Sequence, residues 1–404
     1  IMLGSIWAYY ELGWGGFWFW DPVENVSLMP WFCLTALLHC ILVLEKKSLF
    51  ESWSIILSIA TFTFSMCGTF LVRSGILNSV HTFANDPLRG VFILIFLFIL
   101  IFISLIVFFF FYKNDKKKIN HYWLSKEVSI LFNNWFMMYF LSVVLVGTLY
   151  PIFLEVLSNE KISVGPPFYH KLIIPFFFPF LILMSIGPNL NWIKSKIKIQ
   201  IQLIILFVIS LFSSFYFLNK IGLENLMISI LMGSAIYLFF ITLRDFFLKK
   251  FNNTSQTISH FGFSLLILSI LFNSIFSKEI ITNLKVGEKF GFDEGNIYFE
   301  KIYNTDKKNY KSIIGYFKIE DKKNNVTFLK PELRIYNQPV TITSEADIKT
   351  TLYYDQFLVM NSVKGSEYFN VRYQKKPFMI WIWISIILII MGGSVSLFRR
   401  SYEK

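Results

Sequence analysis

The hydrophobic residues of this chain are grouped into long apolar runs, separated by short breaks that carry much of the lysine and arginine. A run of about 18 or more apolar residues with few charges is typical of a helix that crosses a membrane. The runs predict membrane spans at about 28–45, 50–72, 90–112, 127–149, 168–192, 200–218, 224–243, 256–277 and 377–397. Residues 1–6 resemble the end of a further span, so we expect the natural protein to begin upstream of residue 1.

Residues 278–376 follow a different pattern, in which short alternating runs are punctuated by Gly, Asn and Asp. Alternation with a period of two between turn residues predicts β-strands. The segment has no histidine, and its acidic residues are scattered, so we expect a docking or lid domain rather than a catalytic one. The predicted organisation is a helical membrane core at 1–277, a β-rich domain at 278–376, and a last membrane helix with a short tail at 377–404.

The composition supports a polytopic membrane protein, because 55% of the residues are hydrophobic and only 16% are charged. The fold class we expect is all-α, with about nine or ten transmembrane helices and a small β-rich extracytoplasmic domain. The formal charge of +12 lies in loops between the spans, which indicates membrane topology rather than nucleic-acid binding. Because the basic clusters fall on alternate loops, they predict that the other loops face outward, among them 7–25, 73–89 and 278–376.

One segment near the start of the chain, residues 7–25, is exceptionally rich in tryptophan and glycine. Gly13, Gly15 and Gly16 would each weaken a helix by about 1 kcal/mol, so we expect an outward loop that displays aromatic faces. Such faces suit a flat, apolar ligand about as large as a porphyrin. An interfacial aromatic belt is the alternative interpretation. The tryptophans concerned are Trp7, Trp14, Trp18 and Trp20.

The segment ends in Asp21-Pro22-Val23-Glu24, which has the sequence of a capping box followed by a helix. Asp21 stands at the N-cap, Pro22 at the first helical position, and Glu24 three residues after the cap. The two carboxylates are therefore candidates for helix capping, and direct contact with a ligand is the other possibility left open.

The chain has five histidines, and histidine inside a bilayer is costly enough to suggest function. His39 lies nine residues beyond Pro30, about 14 Å along the helix that follows the aromatic segment. His81 falls in the next outward loop. Two histidines near an aromatic platform can bind a haem iron from opposite faces. A hydrogen bond between helices or a proton relay would also explain a single membrane histidine.

The other histidines and the cysteines give less evidence about function. His260 falls toward the cytoplasmic half of its span, so we expect it to need an iron and a partner of its own. We interpret His121 and His170 as solvated or interfacial. Cys33, Cys40 and Cys67 lie in apolar runs and form no CxxC pair, so we expect small core residues and thiols supplied by a partner.

The run from Gly4 to Asn25 resembles the tryptophan-rich WWD signature of the haem-handling proteins of cytochrome c biogenesis. Within that family the chain is most similar to the CcmF haem lyases, because the likeness continues to the end of the chain. The family usually carries Trp at the position of Phe17, where this chain keeps an aromatic ring. The further segments that match are 35–39, 68–75, 79–84, 86–90 and 376–383.

The resemblance implies a haem lyase that holds haem on the outer face and promotes its thioether attachment to the CxxCH motif of apocytochrome c. It implies that His39 and His81 bind the haem in transit, and that His260 binds a resident b-type haem whose second ligand lies upstream of this chain. The tryptophan-rich segment would cradle the incoming haem through Trp7, Trp14, Trp18, Trp20 and Asp21.

The partners and location implied are those of the family. They are a haem chaperone and other maturation proteins, apocytochrome c, thioredoxin-like thiol reductants and membrane lipids, without nucleic acid. The location is the bacterial inner membrane, with the aromatic loop and the β-rich domain in the periplasm, in preference to the mitochondrial inner membrane. Two alternatives remain: a membrane haem transporter or exporter, and a nitrite-reductase-specific haem lyase of the same family.

Overall fold

The computed structural model describes the chain except for Leu12, 77–85, 113–121, 160–161, 195–200, 249–253, Pro339, 403–404 and the side chains of 397–402. In the part it describes, nine helices are long and apolar enough to cross a membrane, and the segment before the last of them folds into strands. The expected fold class, a polytopic helical membrane protein with a β-rich domain, is confirmed.

The helices are α1 to α10 in chain order. A short 3-10 turn at Gly187–Asn189 follows α6. The helices span Met2–Glu11, Pro22–Lys47, Glu51–Ser74, Pro87–Phe111, Lys126–Ser158, Pro166–Ile186, Ile201–Lys220, Leu226–Leu248, Thr254–Phe276 and Met379–Tyr402.

The described residues form two units, and the boundary between them falls inside the tryptophan-rich segment. The first unit contains Trp18–Thr242 together with Ile1, and the second contains Met2–Phe17 and Leu243–Lys404. The segment 7–25 therefore contributes its first half to one unit and its second half to the other. Each unit is described by itself.

In the first unit, α2 packs against α3 and α5, while α4 packs on α3 and α6 on α5. The link between α2 and α3 is only three residues, so the two helices run antiparallel. A Cβ on Gly68 of α3 would lie 3.7 Å from the side chain of Val26 on α2. The end of α3, at Ser74, is therefore on the side where α2 begins.

In the second unit, α9 and α10 pack tightly because small residues face each other. A Cβ on Gly262 of α9 would lie 2.8 Å from the carbonyl oxygen of Ser385 on α10. The hydroxyl of Ser255 on α9 donates a hydrogen bond to the carbonyl of Gly392, 2.6 Å away. Small residues at such a contact are the usual way for membrane helices to approach closely.

In the described part of the chain, ten strands form two sheets. Sheet A has the order β1-β10-β9-β8, and sheet B has the order β2-β3-β4-β6-β7, with β5 paired to β4. All the pairings between neighbouring strands are antiparallel. The strands span Lys278–Leu284, Lys289–Phe292, Gly295–Asp306, Tyr310–Asp321, Val326–Leu329, Glu332–Asn337, Val340–Glu345, Asp347–Thr350, Tyr354–Ser362 and Phe369–Pro377.

The core of the strand-forming segment draws on both sheets, which makes it a sandwich. Phe299 and Phe317 of sheet B stack with ring centroids 4.2 Å apart, and Leu358 and Val371 of sheet A are buried in the same cluster. Alternate strand residues point into this core, which is the origin of the period-two pattern in the sequence.

Candidate functional site

The second half of the tryptophan-rich segment is built onto the start of α2 by the capping box. A carboxylate oxygen of Asp21 accepts a hydrogen bond from the backbone N–H of Val23, at 3.0 Å. Glu24 Oε2 accepts hydrogen bonds from the backbone N–H groups of Asp21 (3.1 Å) and Phe19 (2.8 Å). The predicted cap is confirmed, and through Glu24 it fixes the chain back to Phe19. Both carboxylates serve the backbone here, and a contact of either with a ligand stays a prediction.

Trp20 occupies a backbone conformation that a bulky residue rarely adopts, with φ at +58°. Three neighbours hold it there. Its ring stacks on Tyr169 of α6, with centroids 4.3 Å apart and planes 6° from parallel, while Trp18 meets it edge-on at 6.0 Å. Asn25 donates one hydrogen bond to the Trp20 carbonyl (3.1 Å) and another to the Tyr169 hydroxyl (2.9 Å). A strained residue that its surroundings hold this firmly is typical of a functional site.

His170 belongs to this cluster, although the sequence indicated only an interfacial residue. The indole N–H of Trp20 donates to Nε2 of His170 across 3.4 Å, and the imidazole is exposed. The two residues are 150 positions apart, so no local pattern could connect them. The signal available was topology, because His170 follows a loop predicted to face outward, as the tryptophan-rich segment does.

The first half of the segment is held by the β-sandwich and α10. Helix α1 continues to Glu11, so Trp7 lies on a helix rather than in the expected loop. The buried hydroxyl of Tyr9 donates a hydrogen bond to Oδ2 of Asp355 on β9, at 3.0 Å. Burial raises the pKa of the Asp355 carboxyl to about 6. Phe17, which replaces the usual tryptophan, meets Trp383 of α10 edge-on at 6.4 Å.

Two glycines of the segment are required by close contact with the sandwich. Gly13 has φ at +63°, and a Cβ there would lie 2.5 Å from the carbonyl oxygen of Ser344 on β7. Arg372 of β10 donates a hydrogen bond to the Gly13 carbonyl. A Cβ on Gly15 would collide with the side-chain amide of Gln374. The sandwich therefore fixes the backbone from which Trp14 projects, and Trp14 itself is half-buried.

His39 lies deeper than the sequence indicated. Helix α2 begins at Pro22 and continues through Pro30, so His39 is 17 residues, or about 26 Å, from its start rather than about 14 Å. Nδ1 of His39 lies 2.8 Å from the carbonyl of Thr35, one turn earlier. A carbonyl accepts only from a protonated nitrogen, which leaves the lone pair of the imidazole on Nε2. In that tautomer Nε2 carries the lone pair through which a histidine can bind a metal.

The remaining candidates differ in how far the structure describes them. His260 lies six residues after the start of α9 and is half-buried. His81 and His121 lie outside the described residues. Cys33 and Cys40 are buried and Cys67 is half-buried, each as a free thiol, as expected for small residues between helices. Within the described ranges, no three His, Cys, Asp or Glu side chains gather as a metal-ion site.

Two family models match this chain at the segments just described. Residues 1–77 match the cytochrome C assembly protein family, and residues 275–377 match the CcmF C-terminal beta-sandwich. The helical core, the tryptophan-rich segment and the sandwich thus define a membrane protein of the cytochrome c assembly class. Along its whole length the chain is similar to the CcmF cytochrome c-type biogenesis proteins.

Relatives match the chain along its whole length. CcmF of Pseudomonas fluorescens is 34% identical over 417 residues, and CcmF of Escherichia coli K12 is 34% identical over 416 residues; each match covers 100% of this chain. NrfE of Haemophilus influenzae, another cytochrome c-type biogenesis protein, is 31% identical over 419 residues. The chain spans only 63 to 65% of the length of these relatives.

A solved structure titled cytochrome c heme lyase CcmF has the same fold. The match covers 97% of this chain and 62% of that one, with a TM-score of 0.76 and 23% sequence identity. It confirms the combination of membrane helices and sandwich, and at this identity it bears on the fold alone.

Proposed function

We propose that this chain is the haem-lyase part of a cytochrome c maturation system. It holds haem at the outer face of the membrane while the cysteines of a CxxCH motif in apocytochrome c become attached. The observations that carry the proposal are the contacts of the tryptophan-rich segment within each unit: in one unit the sandwich contacts Gly13, and in the other Trp20 stacks on Tyr169 of α6. Exposed or half-buried aromatic rings on a fixed backbone suit a flat porphyrin.

The depth of His39 decides how we assign the iron ligands. His39 lies about 26 Å along α2 from its start, where Trp20 lies. A haem that rests on Trp20 would therefore place its iron out of reach of His39. We therefore assign the haem in transit to the tryptophan-rich segment and His81, and we assign His39 to an iron inside the bilayer. This modifies the expectation that His39 and His81 share one haem. His260, inside α9, is the other intramembrane candidate and would bind a resident b-type haem.

One contact of His39 supports a role for this residue as an iron ligand. The hydrogen bond from Nδ1 of His39 to the Thr35 carbonyl orients the ring and leaves Nε2 as the basic nitrogen. A bound resident haem would supply electron transfer, while the helices supply burial and ligand geometry.

The attachment reaction needs positioning more than acid–base groups. Each thiol of the CxxCH motif adds across a haem vinyl group: a C–S bond forms, the π bond of the vinyl group breaks, and the thiol hydrogen goes to the other vinyl carbon. No oxidant is consumed. The thiols come from apocytochrome c and need thioredoxin-like reductants to stay reduced. The chain contributes orientation and exclusion of water.

The partners and location follow from this role. Haem arrives from a haem chaperone of the maturation system, and the apocytochrome arrives unfolded. The tryptophan-rich segment and the sandwich face the periplasm of a bacterial inner membrane, a topology supported by the basic residues on the opposite loops. The second candidate is a nitrite-reductase-specific haem lyase of the same family, because the chain is 31% identical to NrfE.

Reconstitution tests the proposal. The full-length protein is purified in lipid nanodiscs and supplied with reduced haem and a reduced CxxCH apocytochrome. The expected product carries two thioether bonds, seen by mass spectrometry and by its reduced absorption spectrum. Transport of haem into sealed vesicles in the absence of apocytochrome, with no thioether product in its presence, would favour a haem exporter instead.

A further inference from the structure

His170, in the second turn of α6, uses one of its two ring nitrogens in the contact with Trp20. An indole N–H is a donor only, so Nε2 of His170 accepts and carries the lone pair. In the neutral imidazole the hydrogen is then on Nδ1. This Nδ1–H group has no acceptor among the residues that the structure describes, and the side chain is exposed. His170 thus offers a hydrogen-bond donor to a ligand.

The same tautomer keeps His170 from binding an iron. A metal binds the lone pair of an imidazole nitrogen, and here that lone pair is directed at the indole of Trp20 while Nδ1 carries hydrogen. In His39, by contrast, Nδ1 is hydrogen-bonded to a backbone carbonyl and the lone pair is on Nε2. The partner of His170 in a bound haem must therefore be a group that accepts a hydrogen bond.

Trp20 determines where a planar ligand lies relative to this donor. Tyr169 covers one face of the indole, with ring planes 6° from parallel, so a planar ligand can rest only on the opposite face. The imidazole of His170 stands at the edge of the same indole, with ring centroids 6.2 Å apart and planes at 74°. Because a porphyrin is much wider than an indole, a porphyrin that rests on Trp20 extends past the edge at which His170 lies.

The position of His170 beside Trp20 is fixed by its neighbour Tyr169, which is buried. The Tyr169 hydroxyl accepts a hydrogen bond from Asn25 at 2.9 Å. Gly147 of α5 passes so close to the Tyr169 side chain that a Cβ there would lie 2.7 Å from it. The start of α6 is thereby held against both α2 and α5, and a donor on a rigid element can select one orientation of a ligand.

We propose that Nδ1–H of His170 donates a hydrogen bond to a propionate carboxylate of the haem in transit, and that this contact sets the orientation of the haem. The identity of the ligand rests on the proposed function. The propionates are the anionic groups of an otherwise apolar porphyrin, and a hydrogen bond to a carboxylate is stronger than one between neutral groups. The vinyl groups lie on the other side of the macrocycle, so they are directed away from His170, toward the incoming thiols.

Binding of two probes to the full-length protein in lipid nanodiscs tests the inference. Haem is compared with haem dimethyl ester, which has the same macrocycle and iron but uncharged propionates. His170→Gln and His170→Glu both keep an oxygen that accepts from Trp20. We expect His170→Glu to bind haem roughly tenfold more weakly than His170→Gln, because a carboxylate has no donor and repels the propionate. Both variants should bind the ester equally. Quenching of tryptophan fluorescence measures each affinity.

Lys171→Glu is the matched control for charge. Lys171 is exposed and follows His170 in the chain, but it lies about 100° further around α6. Its replacement brings a carboxylate to the same end of the helix and changes the net charge by more. We expect Lys171→Glu to bind haem more tightly than His170→Glu. Equally weak binding by the two would show general charge repulsion and overturn the inference.

The remaining outcomes separate this inference from the proposed function. Equal haem affinities of His170→Gln and His170→Glu overturn the inference, and the haem lyase stands if the wild type still forms thioethers. If only haem distinguishes the two variants but the wild type forms no thioethers, the propionate contact is supported and the lyase is contradicted. A wild-type protein that binds neither probe overturns both.

A measurement on the wild type decides the case in which His170→Glu fails to fold. The infrared band of the haem carboxylates, identified by isotope labelling of the propionates, reports their hydrogen bonding. The band should differ between the wild type and His170→Leu, and identical bands would overturn the inference.

Discussion

The hydroxyl of Tyr9 on α1 donates a hydrogen bond to Oδ2 of Asp355 on β9, 3.0 Å away, and both side chains are buried. The other oxygen of Asp355, Oδ1, is also buried and accepts no hydrogen bond from the residues that the structure describes. The helix that leads into the tryptophan-rich segment is thereby joined to the β-sandwich through a carboxyl group in an apolar setting. Tyr9→Phe should cost about 1–3 kcal/mol of the stability of this unit, because it leaves a buried acceptor unpaired.

The stability of this folded unit should fall as the pH rises. Asp355 titrates at about 6 in the folded unit, against an ordinary value of 3.8, so the folded state favours its neutral form. The stabilisation is complete below about pH 4 and is lost as the pH rises through 6. The hydrogen bond from Tyr9, then Thr350 and Lys376, limit the shift because all three favour the ionised form; Lys376 lies opposite Asp355 in the β9–β10 register.

Hydrogen exchange of α1 between pH 4 and 8, corrected for intrinsic rates, measures this effect. Asp355→Asn keeps an oxygen acceptor for Tyr9 but cannot titrate, so protection of α1 in that variant should not depend on pH through this site. An identical pH dependence in wild type and Asp355→Asn would exclude Asp355 as its source.

Gly13→Ala should displace the first half of the tryptophan-rich segment from the sandwich. The residue has φ at +63°, and the new methyl group would meet the Ser344 carbonyl at 2.5 Å. A left-handed non-glycine residue costs about 1 kcal/mol before any clash is counted. Limited proteolysis of the segment should accelerate. Gly4→Ala is the control, because nothing lies within 4 Å of its Cβ position, and it should leave the cleavage rate unchanged.

His170→Leu should loosen Trp20, because the indole N–H loses its acceptor at 3.4 Å. We expect haem affinity to fall roughly fivefold, consistent with a net hydrogen-bond contribution of about 1 kcal/mol. His170→Gln retains an oxygen acceptor and should restore most of the affinity. Haem titration followed by tryptophan fluorescence measures both variants. Equal affinities for the leucine and glutamine variants would show that the hydrogen bond has no part in holding Trp20.

Asp21→Ala should destabilise the start of α2 by about 1 kcal/mol, since Val23 would lose its cap. Glu24→Ala should also loosen the chain between Phe19 and Asp21, because the Glu24 carboxylate accepts hydrogen bonds from the N–H groups of both residues. Thermal unfolding reports the stability, and haem affinity reports the geometry. Loss of haem in Asp21→Asn, which can still cap the helix, would instead indicate direct contact between the carboxylate and the ligand.

The sequence was sufficient for features that depend on neighbours in the chain. The membrane spans follow from apolar runs, the capping box from four consecutive residues, and the strands of the sandwich from alternation. The depth of His39 was misjudged because it was counted from Pro30. That proline lies inside α2, where it removes one backbone hydrogen bond without ending the helix. The cap at Asp21 was the better marker of where the helix begins.

Contacts between distant residues could not be predicted. Tyr9 and Asp355 are 346 positions apart, and Arg372 and Gly13 are 359 positions apart, so periodicity carries no information about them. The sandwich was expected to be a docking or lid domain, and its contacts with Gly13 and Gly15 come from the fold alone. Sequence identified the tryptophan-rich segment as the candidate site, and the structure identifies the residues that hold it in place.

The absorption spectrum of the purified full-length protein, measured for three single histidine variants alongside a maturation assay, tests the central claim most directly. We predict that His81→Ala retains the intramembrane haem signal but abolishes thioether formation. His39→Ala and His260→Ala should each lose or shift the intramembrane signal. If all three variants bind haem and mature cytochrome c as the wild type does, the assignment of these histidines, and with it the haem-lyase account of this chain, is contradicted.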